Sequence, residues 1–215
     1  MNSLRTLRDA IVAEPDDLGL RRVYADALLE RGDPRGQFIH VQLQLEVNRT
    51  PELEAAEAAL LERYRHHWAL PVRPDHHGVK FVRGFVEEWT CSLDELLNRG
   101  KRVLKATPLR LLRLACVTQT EVFQLPRSLA LRNVRELELD GLRAWPFVEL
   151  SRVKFERLER LVLRGDPGGA SYGFHELLGA PWFPRLKELE VRLPIAKELR
   201  DRVQHLAPSN GRARA

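Results

Sequence analysis

Short apolar repeats follow one another through the second half of the chain. In each repeat an apolar residue precedes two free positions, a second apolar residue, one free position and a third apolar residue. Alternation of this kind is typical of a short strand with one buried side. The repeat starts lie 23, 25, 24 and 28 residues apart, which predicts five neighbouring parallel strands. The motifs are Val86-x-x-Trp89-x-Cys91, Leu109-x-x-Leu112-x-Leu114, Val134-x-x-Leu137-x-Leu139, Leu158-x-x-Leu161-x-Leu163 and Leu186-x-x-Leu189-x-Val191.

The first half has helical periodicity instead. Apolar residues recur there at steps of three and four, between Asp, Thr, Gly and Pro residues that begin or end helices. The four predicted helices cover residues 3–14, Asp16 or Asp17 to Gly32, about Pro34 to Thr50, and Pro51 to about Trp68. The residues expected on the buried sides of the first three are Leu4, Leu7, Ile11, Val12, Leu20, Val23, Tyr24, Ala27, Leu28, Phe38, Ile39, Val41 and Leu45.

The N-terminal sequence resembles the bacterial repeat-companion domain. The match covers about the first 45 residues and includes Pro-Asp-Asp at 15–17, Arg-Val-Tyr-Ala-Asp at 22–26, Gly-Asp-Pro-Arg-Gly at 32–36 and Gln42. The resemblance implies a helical module without established enzymatic chemistry, often followed by leucine-rich repeats. The period of the later motifs is itself within the range of leucine-rich repeats.

These patterns predict an α/β protein with two parts. We expect a helical repeat-companion module over residues 1–70, a connector over 71–80 and a leucine-rich repeat solenoid over 81–207. The solenoid would end in an amphipathic capping helix at 195–206, and residues 208–215 are expected to be a disordered tail. A capping box formed by Ser92 and Glu95 predicts a helix between the first two repeat strands.

Three polar residues stand out in the helical module: Asp26, Arg35 and Gln42. An arginine that follows a Gly-Asp-Pro turn can bridge a carboxylate and the free carbonyls of a helix end. We therefore expect Asp26 and Arg35 to hold the second helix to the third. A binding role for this pair is the alternative.

The free positions of the repeats define the expected concave face of the solenoid. Charges along this face alternate in sign between neighbouring strands, so the rows are expected to neutralise themselves by cross-strand ion pairs. Leu111, Val162 and Thr90 would be its less polar contact points. The predicted protein-binding residues are Glu88, Thr90, Arg110, Leu111, Arg113, Glu136, Glu138, Arg160, Val162, Glu188 and Glu190.

The charge of the chain is uneven. Residues 1–78 carry 10 Lys+Arg and 13 Asp+Glu, whereas residues 79–215 carry 25 and 17. The basic second half raises nucleic acid as an alternative partner, bound through basic loops and the convex face, with Lys101, Arg102 and Lys105 among the contributing residues. For Trp145 and Trp182 the sequence allows two alternatives, a core position or an exposed anchor for a partner.

The sequence contains no recognisable catalytic motif. No phosphate loop, zinc-protease motif, nucleophile elbow or nucleotide fingerprint is present. Glu87 and Glu88 are adjacent on a predicted strand and are expected to be solvated. His66-His67 and His76-His77 lack ligand-like spacing, and Cys91 and Cys116 are expected to be buried thiols. We therefore expect no catalytic, cofactor or metal site, no membrane association, a cytoplasmic location, and a protein partner for an adaptor or regulator.

Overall fold

The computed structural model describes residues 3–70, 72, 78–115, 123–128, 131–132, 134–142, 147–165 and 174–192. Within these ranges no helix combines the length and the apolar character needed to cross a membrane. Several predictions lie outside the described residues. These are the capping helix, the C-terminal tail, Cys116, Trp145 and the histidines at 76–77.

Seven α-helices occur in the described part of the chain, and the first four confirm the helices predicted for the first half. Side chains of Ser3, Asp17 and Thr50 accept hydrogen bonds from the first turns of three helices. The Ser92–Glu95 capping box is also present, with Ser92 N 3.0 Å from Glu95 Oε2. The helices are α1 (Leu4–Ala13), α2 (Leu18–Leu29), α3 (Pro34–Val47), α4 (Pro51–Ala69), α5 (Leu93–Ala106), α6 (Phe147–Ser151) and α7 (Phe174–Leu178).

The strands form one six-stranded sheet, so the expected mixed α/β class is confirmed. The sheet order follows the chain order, β1 pairs antiparallel with β2, and β3 to β6 pair in parallel. Strand β1 was not predicted and begins inside the expected connector. The strands are β1 (Val79–Val82), β2 (Phe85–Cys91), β3 (Leu111–Leu114), β4 (Glu136–Leu142), β5 (Arg160–Gly165) and β6 (Glu188–Arg192).

The repeat leucines lie in register across the four parallel strands. Leu112 is opposite Leu137, Leu137 is opposite Leu161, and Leu161 is opposite Leu189. All four side chains are buried, at 0–3% exposure. The motif spacing therefore predicted the pairing register correctly. A register shifted by one residue would turn each leucine to the opposite side of the sheet.

The chain divides into two compact units. The first contains the described residues of Met1–Trp89 together with Arg102–Leu109, and the second contains those of Thr90–Lys101 and Arg110–Ala215. The β1–β2 hairpin turn therefore belongs to the same unit as the four N-terminal helices. In the first unit, Leu7, Ile11, Tyr24 and Leu28 form a core cluster with Phe85 of β2.

The predicted buried side of α2 is partly wrong. Val23 is 53% exposed, whereas the neighbouring Arg21 is fully buried. The Arg21 guanidinium lies 2.7 Å from a carboxylate oxygen of Glu87 and donates to the carbonyls of Pro15 and Arg83. Burial lowers the pKa of Arg21, and the charge of Glu87 opposes that shift. A charged position of α2 thus holds a buried ion pair, because its partners come from β2 and the hairpin turn.

The hairpin turn is held by a turn clamp, which we define as Arg21, Arg35 and Gln42. Arg35 donates twice to the carbonyl of Gly84, at 3.1 Å each. Gln42 accepts from Gly84 N at 2.6 Å and donates to Phe81 O at 3.2 Å. The clamp therefore satisfies backbone groups of the turn, which would otherwise be desolvated without partners.

The expected Asp26–Arg35 pair is wrong. Asp26 instead contacts His40, with His40 Nε2 2.9 Å from its carboxylate. The Arg35 guanidinium stacks over the ring of Phe85 at 4.7 Å while it binds the Gly84 carbonyl. Arg35 thus connects α3 to the hairpin and not to α2. Gln42 is a buried structural residue, as expected.

Candidate functional site

The row face is the side of β3 to β6 that carries the charged free positions of the repeats. Residues that lie opposite one another on neighbouring strands form rows across this face. The first row contains Leu111, Glu136, Arg160 and Glu188, and the second lies two residues further along each strand. Side chains two residues apart on a strand share one side of a sheet. The second row contains Arg113, Glu138, Val162 and Glu190.

Glu138 lies at the centre of the row face. Its carboxylate accepts hydrogen bonds from Arg113 on β3 at 2.9 Å and from Arg160 on β5 at 2.9 Å. Arg164, four residues further along β5, donates to it at 3.0 Å. Its side chain is only 7% exposed, so three guanidinium groups compensate a carboxylate largely removed from water.

Arg160 is the complementary cation of the row face. The guanidinium donates to Glu138 at 2.9 Å and lies 3.2 Å from Glu188. It also lies 3.5 Å from Glu190 and 3.7 Å from Glu136. One arginine on the middle strand therefore joins carboxylates from β4 and β6.

Exposed ion pairs border this centre. Arg110 lies 2.9 Å from Glu136, Lys187 lies 3.0 Å from Glu159, and Arg192 contacts Glu190. The predicted pairing between neighbouring strands is confirmed for Lys187 with Glu159, for Arg160 with Glu136 and Glu188, and for Arg113 with Glu138. The row face is therefore close to self-neutral, and much of its positive charge is already occupied.

The shifts in pKa follow from these contacts. Burial raises the pKa of Glu138, but the hydrogen bonds from Arg160 and Arg113 outweigh it, and the net shift is downward. For Arg160, burial lowers the pKa, and the hydrogen bond to Glu138 with the charge of Glu188 gives a net rise. Both groups are thus held in their charged forms.

Substituting Glu138 tests this pairing through pH. A carboxyl group with a lowered pKa in the folded state contributes stability above its unfolded pKa, near the ordinary value of 4.5, and loses it as pH falls through the folded pKa. We expect Glu138→Gln to lower the free energy of unfolding by about 1–3 kcal/mol at pH 7. The difference should shrink below about pH 4.5, as measured by urea unfolding at a series of pH values.

Glu156→Gln is the matched control for that measurement. Glu156 is 61% exposed and lies 4.0 Å from Arg132, so its substitution should change stability by less than about 0.5 kcal/mol. A Glu138→Gln effect that stays constant from pH 7 to pH 3 would contradict the assignment of the network.

Leu111 and Val162 do not serve as exposed contact points, contrary to the prediction. They are 7% and 0% exposed. Thr90 is half-buried. The accessible part of the row face is therefore charged, and its most exposed cations are Arg110, Lys187 and Arg192.

Glu87 and Glu88 also differ from expectation. Glu87 is buried with Arg21, and the side chain of Glu88 is 16% exposed and lies 2.6 Å from Lys80. Both belong to the first unit, whereas β3 to β6 belong to the second. The predicted solvated carboxylate pair is wrong, because Arg21 contacts the carboxylate of Glu87 and Lys80 contacts that of Glu88.

Sequence reasoning missed Arg164 and Arg192. Both lie on strands β5 and β6, two residues beyond the last predicted row position, and both contact glutamates of the row face. The alternation Arg160, Val162, Arg164 was the signal, because side chains at steps of two continue on one side until the strand ends.

The described aromatic side chains of the return segments are not all alike: Trp182 and Phe183 are core residues, whereas Phe123 is 53% exposed. Trp182 is 2% exposed and packs edge-on against Phe155, with ring centroids 5.0 Å apart. Phe183 is 5% exposed. The alternative of an exposed Trp182–Phe183 anchor is therefore wrong.

The described residues also include potential metal-ligating and thiol side chains. They contain no group of three or more His, Cys, Asp or Glu side chains that could hold a metal ion. Cys91 is buried. Charged groups of the row face contact one another across the strands, as Arg160 does with Glu138 and Glu188.

Comparisons with protein-family models, with curated proteins and with solved structures found no match for this chain. The resemblance of the N-terminal motifs to the repeat-companion domain therefore stays a prediction.

Proposed function

We propose that this chain is a non-catalytic protein-binding module that acts as an adaptor or regulator in the cytoplasm. In this proposal β3 to β6 belong to a short leucine-rich repeat solenoid that follows a repeat-companion module. The observation that carries it is the row face, in which ordered arginines and glutamates from four parallel strands form a continuous surface. Repeat architectures commonly use such extended surfaces for binding.

The charge pattern favours a protein partner over a polyanion. Arg160 contacts both Glu138 and Glu188, and Arg113 contacts Glu138, so a phosphate backbone would have to compete with carboxylates already in place. A partner protein with both acidic and basic side chains can exchange pairs with the exposed members of the face. Complementary charge of this kind contributes mainly to specificity and association rate.

The test is a quantitative pull-down from the native cell with the full chain as bait. Arg110→Glu and Arg192→Glu reverse exposed charges on the row face, and each should reduce recovery of a specific partner by about tenfold, a loss of about 1.4 kcal/mol. Lys154→Glu is the control, because Lys154 is exposed outside the face. Unchanged recovery with both face variants, when their circular dichroism matches the wild type, would contradict this site.

A nucleic-acid partner remains the second candidate, and one observation favours it. Lys101, Arg102 and Lys105 are exposed on α5, and none makes an ion pair with a described residue. Binding there should weaken with salt, with a log-log slope of about −0.9 per phosphate contacted on duplex DNA. It should also weaken when the three residues are changed together to Ala. Fluorescence anisotropy with a labelled duplex measures both effects.

A further inference from the structure

A charged cleft lies in the first unit between α3, α4 and β1. Its volume is about 500 Å³, and its floor includes the apolar side chains of Leu45, Leu61 and Phe81. A space of this size is in the range of pockets that bind small organic ligands. The charged groups on its walls are the cations Arg49, Arg65, Lys80 and Arg83 and the carboxylates Glu46 and Glu57.

Three of the four cations already contact a carboxylate. Arg83 lies 2.6 Å from Glu46, and Arg49 lies 2.9 Å from Glu54. Lys80 lies 2.6 Å from Glu88. The carboxylate of Glu57 accepts a hydrogen bond from Gln42 at 2.7 Å. The two carboxylates of the cleft, Glu46 and Glu57, therefore contact Arg83 and Gln42.

Arg65 differs from the other cations. Its Nε is buried and has no hydrogen-bond partner, and no described residue forms an ion pair with its guanidinium. Positions 57, 61 and 65 are four apart on α4 and share one side of the helix, which turns Arg65 towards the cleft. A buried charged donor without a partner destabilises the fold by about 1–3 kcal/mol or more, so its presence needs an explanation.

The turn that borders the cleft carries a second unusual feature. Arg83 is a non-glycine residue with φ of 51°, in the left-handed region that Asn or Gly usually occupies in two-residue hairpins. Its guanidinium forms part of the cleft wall beside Glu46. Backbone strain of this kind concentrates at functional sites.

We propose that the cleft binds a small organic anion through a carboxylate or phosphate group, with Arg65 as its principal ligand. A planar guanidinium matches both oxyanions and can donate two hydrogen bonds to either. Arg83 and Lys80 border the site but are already paired with Glu46 and Glu88, so Arg65 is the cation that a ligand would engage. Leu61 and Phe81 would cover the apolar part of the ligand. The proposal concerns only the first unit and is independent of the protein-binding role of the row face.

Isothermal titration calorimetry on the full chain tests the site, with citrate as the carboxylate probe and inorganic phosphate as the phosphate probe. Ionic strength is held constant with chloride. We expect saturable one-to-one binding of at least one probe, and the tighter one identifies the preferred oxyanion. Arg65→Ala should weaken that binding by about 10- to 100-fold, because a charge-assisted contact is lost.

Arg63→Ala is the matched control. Arg63 lies on the exposed side of the same helix, and its substitution removes the same charge as Arg65→Ala. It should change the affinity by less than about twofold. Arg65→Lys should give an intermediate loss, since it keeps the charge but not the planar donor pair.

A spectroscopic readout separates binding at the cleft from binding elsewhere. In ¹⁵N-labelled protein the Arg65 Nε–H signal, assigned by its absence from Arg65→Ala, should shift on addition of the bound probe. No saturable binding of either probe, equal weakening by Arg63→Ala and Arg65→Ala, or an unchanged Arg65 signal at saturation would each overturn the proposal.

Discussion

Arg21→Ala will lower the free energy of unfolding by about 3–5 kcal/mol, the largest effect expected for a single charged residue in this chain. The substitution leaves the carboxylate of Glu87, which is 5% exposed, without the guanidinium that lies 2.7 Å from it. It also removes the donors to the carbonyls of Pro15 and Arg83. Urea unfolding followed by circular dichroism measures the loss.

The neighbouring Arg22 provides the control for that experiment. Arg22 is exposed, so Arg22→Ala should change stability by less than about 0.5 kcal/mol. The double variant Arg21→Met with Glu87→Leu should be more stable than Arg21→Ala, because it removes the buried carboxylate together with its partner. Equal losses for Arg21→Ala and Arg22→Ala would show that the buried pair does not stabilise the fold.

Gly84→Ala is expected to destabilise the first unit by about 2–5 kcal/mol, by adding a steric clash to an unfavourable backbone conformation. Gly84 has φ of 85°, and a Cβ built there would lie 2.0 Å from Ile39 Cγ1. Ile39 is fully buried in the core cluster and has little space to move. The midpoint of urea unfolding reports the change.

Gly32 separates the two contributions. It has φ of 70°, but a Cβ there would meet no atom within 4 Å, so Gly32→Ala should lose only about 1–2 kcal/mol for the backbone. In an Ile39→Ala background, the effect of Gly84→Ala should fall towards the Gly32→Ala value. Equal destabilisation by Gly84→Ala and Gly32→Ala in the wild-type background would contradict the steric clash between Ile39 and a Cβ at position 84.

The parallel strands were predictable because leucine spacing determines which residues can lie side by side. Leu137 and Leu161 lie opposite each other because both occupy the same position of the motif. The ion pairs of the row face followed from the same register, as the contact between Arg113 and Glu138 shows. The burial of Leu111 was not predictable, because the repeat pattern places it among the solvated free positions.

The contacts of the first unit were harder to predict, because their partners are distant in sequence or belong to the backbone. Arg21 contacts Glu87 from a helical position that looks solvated. Arg35 binds the carbonyl of Gly84, which no pattern of side chains reveals. The missed strand β1 did leave a signal, because Arg83-Gly84 between two apolar segments is typical of a hairpin turn.

The turn clamp binds main-chain groups of residues 83 and 84. The two positions therefore tolerate side-chain changes differently. A change of side chain at position 83 leaves the carbonyl that Arg21 binds in place. A change at Gly84 meets Ile39 directly. The side chain at position 83 can therefore change, within what a φ of 51° allows, while the contact of Arg21 with the turn stays intact.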